Sequence, residues 1–365
     1  MKKNYITTFQ NADNYGAMLQ CYALSNFLKD FNDTYVINYN NEFLAEQYKI
    51  IRKIDKNPIK SAYHLVIDIL NYSDALKRCE NFNNFRKGIQ FTKKIDCLEE
   101  LNYDADSIFI TGSDQVWNPI IAGRIDDVYF LNLKNKYYKK ISYAASCGDI
   151  STIKNFQNDF FESIKSFDNI SVREKGLCDF INLNSNLCSE VVLDPTLLLD
   201  VKDWKKIIDD KRIIEDKYIF VYSVGNANEL FNKSVDKISK LTGLIIVFFD
   251  KKKLSCEFKV KKERWYKAGP LEFLNLLYYS EYVVTTSFHG TALSTIFNKS
   301  LFVILSSYPD RLLTLLNEIG LNSRIVKCED DIERILNTTT DWKKVNDSLG
   351  KKRKESQNWI KEAIK

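Results

Sequence analysis

The sequence predicts an α/β protein made of two doubly wound halves. Three observations lead there. The chain has 365 residues, which at roughly 100 to 200 residues per domain corresponds to two domains. Short β-rich runs alternate with longer amphipathic stretches from end to end, the pattern of parallel sheets with crossover helices. That alternation breaks once, from Asp194-Pro195-Thr196 to Trp204, and then restarts. Hydrophobic residues make up 45% and charged residues 28%, so the composition is that of a folded globular protein rather than a disordered or fibrous one.

In the first half the predicted strands are Tyr5 to Phe9, Tyr35 to Tyr39, Ser107 to Thr111, Lys140 to Ala145, Asn169 to Val172 and Glu190 to Leu193. The clearest helix is Gly16 to Lys29, where Ala17, Cys21, Leu24 and Leu28 recur at helical spacing. After the break come the strand Tyr218 to Val224, a helix near Asn228 to Leu241, and the strand Leu244 to Phe249. A helix opens at Pro270, a favoured first-turn residue. Glu281 to Thr286 then reads as strand, Gly290 to Phe297 as helix, Leu301 to Leu305 as strand and Arg311 to Ile319 as helix. The tail carries Lys351-Lys352-Arg353-Lys354, followed by Trp359, Ile360, Ala363 and Ile364, a helix with a small apolar face. The predicted divisions are residues 1–200, 201–340 and a basic C-terminal helix over 341–365.

In doubly wound halves a ligand sits at the carboxyl ends of the strands, where loops lead into helix N-termini. Four such loops carry unusual residues. Asn11-Ala12-Asp13-Asn14-Tyr15-Gly16 precedes the first helix, where free backbone N–H groups suit an anion or sugar hydroxyls; Asp13 or Asn14 acting only as a helix cap is the alternative. Gly112-Ser113-Asp114-Gln115-Val116-Trp117-Asn118 offers a carboxylate, and a Trp that is either a sugar-stacking face or core. In Val172-Arg173-Glu174 an arginine ends a strand, fit either to fork onto a phosphate or carboxylate or to pair with Asp194. In Ser287-Phe288-His289-Gly290 a histidine stands at a strand-to-helix junction, where the helix dipole attracts an anion.

The counts narrow the chemistry. Only His64 and His289 carry an imidazole, and His64 lies in an amphipathic helical run without a loop beside it, so geometry selects His289. Eight scattered cysteines with no Cys-x-x-Cys pair read as reduced thiols, and no zinc-ligand spacing exists. The net charge, 53 basic minus 48 acidic residues or +5, is too balanced to indicate nucleic acid as a partner. The N-terminus lacks an apolar stretch of signal-peptide length, and no apolar run approaches the ~20 residues of a membrane span; a cytoplasmic protein is the expectation.

Taken together the loops resemble the polysaccharide pyruvyl transferase family. The resemblance rests on Thr8-Phe9-Gln10-Asn11-Ala12-Asp13-Asn14-Tyr15-Gly16-Ala17, Gly112 to Asn118, Ile141-Ser142-Tyr143-Ala144-Ala145-Ser146, Val172-Arg173-Glu174, Leu193-Asp194-Pro195-Thr196 and Ser287-Phe288-His289-Gly290, in that order. It implies a fold similar to GT-B glycosyltransferases, two Rossmann-like domains facing across a cleft. It implies transfer of the pyruvyl group of phosphoenolpyruvate to two hydroxyls of one sugar in a capsule or exopolysaccharide precursor, with a cyclic ketal and phosphate as products and no cofactor or metal. By family position Arg173 would hold the donor's anionic groups, His289 would be the general acid or base, and Asp114 and Asp194 would orient the acceptor or its partners. Asn11, Asp13, Asn14, Ser287 and Gly290 complete the implied substrate-binding set. Members of the family often carry Arg-Leu-His-Gly where this chain has Ser287-Phe288-His289-Gly290; Arg311 and Lys267 are the nearest cations to stand in.

Two other readings use the same cleft: a GT-B glycosyltransferase taking a nucleotide sugar, and an inactive sugar-phosphate binding protein of a capsule pathway. The acceptor would be lipid-linked or nucleotide-linked. The basic tail either rests on an anionic membrane surface or packs back on the first domain.

Overall fold

The computed structural model describes residues 2–51, 57–133, 138–225, 228–251, 258–306 and 308–365. Its first half is a parallel sheet of seven strands among the described residues, in the order β3-β2-β1-β4-β5-β6-β7. The strands are β1 (Lys3–Thr7), β2 (Asp33–Tyr39), β3 (Phe91–Ile95), β4 (Ile108–Thr111), β5 (Lys139–Ala145), β6 (Asn169–Val172) and β7 (Ser189–Val191). The helices of this half are α1 (Tyr15–Leu28), α2 (Glu42–Gln47), α3 (Pro58–Leu70), α4 (Tyr72–Arg86), α5 (Pro119–Ala122), α6 (Gln157–Ile164), α7 (Lys175–Asn184) and α8 (Val201–Lys205). β1 pairs with β4 through Tyr5 against Phe109 and Ile6 against Ile110, side chains buried on both faces as parallel sheets require.

The second half is, among the described residues, a five-stranded parallel sheet in the order β10-β9-β8-β11-β12, formed by β8 (Tyr218–Tyr222), β9 (Ile245–Phe248), β10 (Lys262–Arg264), β11 (Tyr282–Thr285) and β12 (Ser300–Val303). Its helices are α9 (Glu229–Thr242), α10 (Pro270–Tyr278), α11 (Phe288–Ile296), α12 (Asp310–Ile319) and α13 (Asp330–Leu336), and α14 (Trp342–Ala363) follows. In each sheet the order reverses beside the first strand, between β1 and β4 and between β8 and β11, which places the two switch-point crevices at the carboxyl ends of those strands.

One apolar core crosses from half to half. Ile6, Met18 and Leu24 share it with Phe220, Phe273 and Leu293, and Tyr15 of α1 stacks on Phe273 of α10 with ring centroids 4.2 Å apart. The C-terminal helix closes back on the first half. Ser356 Oγ accepts the Leu193 N–H at 2.9 Å, Arg353 Nε donates to the Leu197 carbonyl at 2.6 Å, and Gln357 Nε2 donates to the Leu198 carbonyl at 2.9 Å.

Several strand and helix limits differ from the sequence expectation by a few residues. Two strands have no counterpart there: β3 carries Lys93 and Lys94 in its five residues, and β10 reads Lys-Glu-Arg. Both are edge strands, where charge is tolerated and the apolar alternation that marks a strand is lost. The fourth predicted helix begins at Phe288 rather than Gly290, because Ser287 is its N-cap and accepts the Gly290 N–H at 3.2 Å.

Candidate functional site

Two helix N-termini meet across the cleft. Asn14 caps α1, its side chain accepting the Ala17 N–H at 3.1 Å, so the capping role weighed for this loop is the one it fills. Ser287 caps α11 in the same way. The caps satisfy one amide each and leave first-turn N–H groups without an intrahelical acceptor, at the partly positive ends of both helices. His289, on the first turn of α11, lies against Gly16 on the first turn of α1. A Cβ at position 16 would stand 2.1 Å from His289 Nδ1 and 2.6 Å from Cγ, so only glycine lets the imidazole sit there.

Behind the imidazole lies a buried ionic centre organised by Asp194. Its Oδ1 accepts the Thr196 N–H at 2.9 Å and the Thr196 hydroxyl at 2.7 Å. Its Oδ2 accepts Ser113 Oγ–H at 2.9 Å and Arg173 Nη1–H at 2.9 Å, with His289 Nε2 3.5 Å away. Burial works against ionisation of this carboxyl, but His289, Arg173 and the Thr196 hydrogen bonds outweigh it and hold the pKa far below the ordinary carboxylate range. Asp194 is therefore an anion facing Nε2, which is buried 3.5 Å from Oδ2 with no hydrogen bond between them.

Arg173 shares that anion. Its guanidinium spans Asp194 and Asp114, 3.5 Å from Asp114 Oδ1, and covers the Phe288 ring at 4.8 Å. It is 2% exposed and does not line the cleft; its Nη1 donates to Asp194, while Nε and Nη2 are buried without a hydrogen-bond partner. A cation that does stand at the cleft wall beside His289 is Arg311, whose Nε is buried without a hydrogen-bond partner. Burial and the like charge of Arg173 lower its pKa, while Glu174 and Asp114 oppose them; a guanidinium stays charged under such shifts. Glu174, beside it, takes the Ser146 hydroxyl at 2.9 Å and the Cys147 N–H at 2.9 Å on Oε1. Burial raises its pKa above the ordinary glutamate range despite Arg173 and Arg311.

Asn14, Tyr48, Asp114, Gln115, His289 and Arg311 line a cavity of about 220 Å³ at this meeting point. Asp114 holds a left-handed backbone, φ 73°, a strained conformation for a residue with a Cβ and one that recurs at functional sites. A second cavity of about 290 Å³ shares Asn14, Gln47, Tyr48 and Val224 with the first and adds Asp13, Arg78, Tyr222, Lys251 and Tyr266. Together they form one two-lobed cleft. A larger cavity, about 820 Å³, opens around Ser280, Glu281 and Lys299 at the amino ends of β11 and β12, on the far side of that sheet's strands from the convergent groups.

Of the residues singled out in the sequence, His289, Asp114, Asn14, Ser287 and Arg311 line the smaller lobe, and Asp13 lines the other, paired with Arg86 at 2.6 Å. Asp194 and Arg173 stand behind the wall, and the Gly290 amide is spent on the Ser287 cap. Asn11 lines neither lobe; its amide donates to the Tyr39 carbonyl at 2.9 Å. Lys267 is exposed, its Nζ 5.2 Å from the Trp265 ring centroid, and lines neither lobe, because the backbone there runs along α4, where Asn81 holds its carbonyl. Trp117 is core, fully buried and stacked on Phe130 at 5.6 Å, which removes it as a sugar platform. His64 lies on α3, outside both lobes.

Tyr48, Arg78, Gln115 and Tyr222 were not assigned roles from sequence. Arg78 carries the least local signal. It sits within α4, donates to the Asp13 carbonyl at 2.9 Å within its own half, and reaches the Tyr266 and Ala268 carbonyls of the second half at 3.4 and 3.3 Å, contacts that exist only once both halves are assembled.

Solved structures share this architecture. The UDP-GlcNAc 2-epimerase of Methanocaldococcus jannaschii is 12% identical, with 94% of this chain and 95% of that one covered and a TM-score of 0.52. The UDP-N-acetylglucosamine 2-epimerase of Rickettsia bellii is 10% identical, covering 100% of this chain and 97% of that one, also at 0.52. At such identity the likeness is of fold: two α/β domains in the GT-B manner. No curated protein sequence matches the chain. The model of the family described as polysaccharide pyruvyl transferase matches residues 14–308, a span that holds both capped helix starts, Asp114, Arg173, Asp194 and His289. The chain is a member of the polysaccharide pyruvyl transferase family.

Proposed function

We propose that the protein moves the pyruvyl group of phosphoenolpyruvate onto two hydroxyls of one sugar in a cell-surface polysaccharide precursor, leaving a cyclic ketal and phosphate. The observation that carries this reading is the meeting, in one lobe of the cleft, of an arginine whose buried Nε has no hydrogen-bond partner (Arg311), two helix N-termini and a histidine backed by a buried anion (His289 with Asp194). Arg311 and the helix ends suit a donor with both a phosphate and a carboxylate.

His289 Nε2 faces Asp194, so Nδ1, on the Gly16 side, is the nitrogen left for a ligand at the start of α1. In its imidazolium form His289 gives a proton to the enol methylene, and the carbon bearing the phosphate becomes electrophilic. A sugar hydroxyl oxygen bonds to that carbon and passes its proton to Asp114. The bond from carbon to phosphate oxygen then breaks and phosphate leaves with both electrons. The second hydroxyl closes the ketal, and its proton restores His289; the first proton leaves with phosphate. Acid-base help of this kind contributes about 10²- to 10⁴-fold.

The test is phosphate release from phosphoenolpyruvate with oligosaccharide acceptors, alongside thermal shift. Phosphoenolpyruvate should raise the Tm, and His289→Ala should lose phosphate release by about 10²-fold or more with circular dichroism unchanged. A Tm raised by UDP-sugars and not by phosphoenolpyruvate would overturn the proposal in favour of glycosyl transfer.

A further inference from the structure

The start of helix α7 is capped from the other half of the chain. Its own N-cap, Glu174, makes no side-chain bond to the first turn. The Glu174 carboxyl is turned away: besides Ser146 and Cys147, its Oε1 accepts the Gly148 N–H at 3.2 Å. The N–H of Gly176, the second residue of the helix, donates instead to Asp310 Oδ2 at 3.1 Å, as it would ordinarily donate to a capping side chain of its own helix. One turn along α12, Thr314 Oγ1 takes the Lys175 N–H at 3.4 Å. Asp310 opens α12, so one acidic side chain lies at the partly positive starts of two helices, one from each half. A Cβ at position 176 would stand 2.6 Å from Asp310 Oδ2, so any side chain there would displace the carboxyl from this amide.

The residues flanking this bond belong to the cleft. Arg311 follows Asp310, lines the smaller lobe beside His289, and has its Nε buried without a hydrogen-bond partner. Arg173 repels it, while Glu174, at the start of α7, and Asp114 attract it. Among the described residues no hydrogen bond from the guanidinium itself fixes it. Its place is therefore set by the backbone at the start of α12, which the bonds from Lys175 and Gly176 tie to the half that carries Glu174 and Asp114.

We propose that Asp310 is a positioning residue that clips the start of α12 to the start of α7 and thereby holds Arg311 at the anion-binding corner of the cleft. The inference rests on the reading of Arg311 as the donor's cation. Clip and ligand are then linked: an anion drawn to Arg311 strengthens the Asp310 bond, and the bond raises affinity for the anion by the same factor.

The experiment measures binding of inorganic phosphate and of phosphoenolpyruvate to the full chain by calorimetry, together with hydrogen exchange. In wild type, saturating phosphate should slow exchange at the first turn of α7. Asp310→Ala should bind both ligands roughly 10-fold more weakly. Its KM for phosphoenolpyruvate should rise by the same factor with kcat within about twofold, because His289 stays in place. Asp310→Asn keeps an oxygen for the Gly176 N–H, and since Asn caps as well as Asp, its affinities should return to within about threefold of wild type. Gly176→Ala should lose as much as Asp310→Ala, and the double variant no more than either alone. Equal phosphate affinity in Asp310→Ala and wild type, no rescue by Asn, additive losses, or exchange at α7 unmoved by phosphate would each overturn the proposal. The exchange measurement needs no substitution, so it decides the matter even where a variant fails to fold. Wild type binding phosphate but not phosphoenolpyruvate would end the donor reading, and the phosphate comparison would still decide the clip. Failure of wild type to bind either would end both.

Discussion

Gly16→Ala places one methyl group between the two halves of the site. In most helices this exchange stabilises by up to about 1 kcal/mol. Here the new Cβ would lie 2.1 Å from His289 Nδ1, 2.6 Å from Cγ and 2.8 Å from Cε1, whereas ordinary contact begins at 3.4 Å. The imidazole must retreat by the difference, 1.3 Å, and its far side is already 3.5 Å from Asp194. A misplacement of about 1 Å costs on the order of 10²-fold in rate, so phosphate release should fall by about that factor while phosphoenolpyruvate, held by Arg311 and the helix ends, still raises the Tm. The two substitutions should also couple. In a His289→Ala background the obstruction is gone, and Gly16→Ala should there raise stability by a few tenths to about 1 kcal/mol in urea unfolding. Activity of Gly16→Ala within about twofold of wild type, well under the 10²-fold loss such a misplacement predicts, or no coupling in the double variant, would refute the packing of Gly16 against His289 as the constraint that positions the acid.

Arg311→Met should weaken stabilisation by phosphoenolpyruvate, and by inorganic phosphate used as a probe, by roughly 10-fold or more. The ligand-free Tm should hold or rise, because a buried cation with an unpartnered Nε beside Arg173 is removed; unchanged anion binding would exclude Arg311 as the donor's cation. Glu174→Gln tests the raised pKa of Glu174. A carboxyl with a raised folded pKa binds its proton more readily in the folded state, so its contribution is full below the ordinary value of about 4.5 and is lost as pH rises through the folded value. Gln has no such loss, and the Tm of the variant relative to wild type should climb as pH rises above the ordinary glutamate value of about 4.5; a difference flat with pH would contradict the raised pKa.

The sequence alone determined the two parallel sheets, the break between them and the loops at their carboxyl ends, because burial on both faces writes itself into short apolar runs and a helix start writes itself into a polar cap. It also selected His289 over His64, since a strand-to-helix junction is visible locally. The charged edge strands β3 and β10 were not legible, their exposure having erased the alternation. What only the tertiary structure decided was which groups line the cleft. Val172-Arg173-Glu174 reads identically whether the arginine meets a donor or Asp194; the approach of the Leu193-Asp194-Pro195-Thr196 turn, 21 residues on, pairs it with Asp194 behind the wall, and Arg311, from the other half, stands at the cleft wall. Trp117 is core for the same reason. Local spacing fixes where a side chain starts, but charge pairing and burial depend on neighbours that arrive from distant segments. Only folding brings α1 and α11 close enough for one glycine and one histidine to define the site.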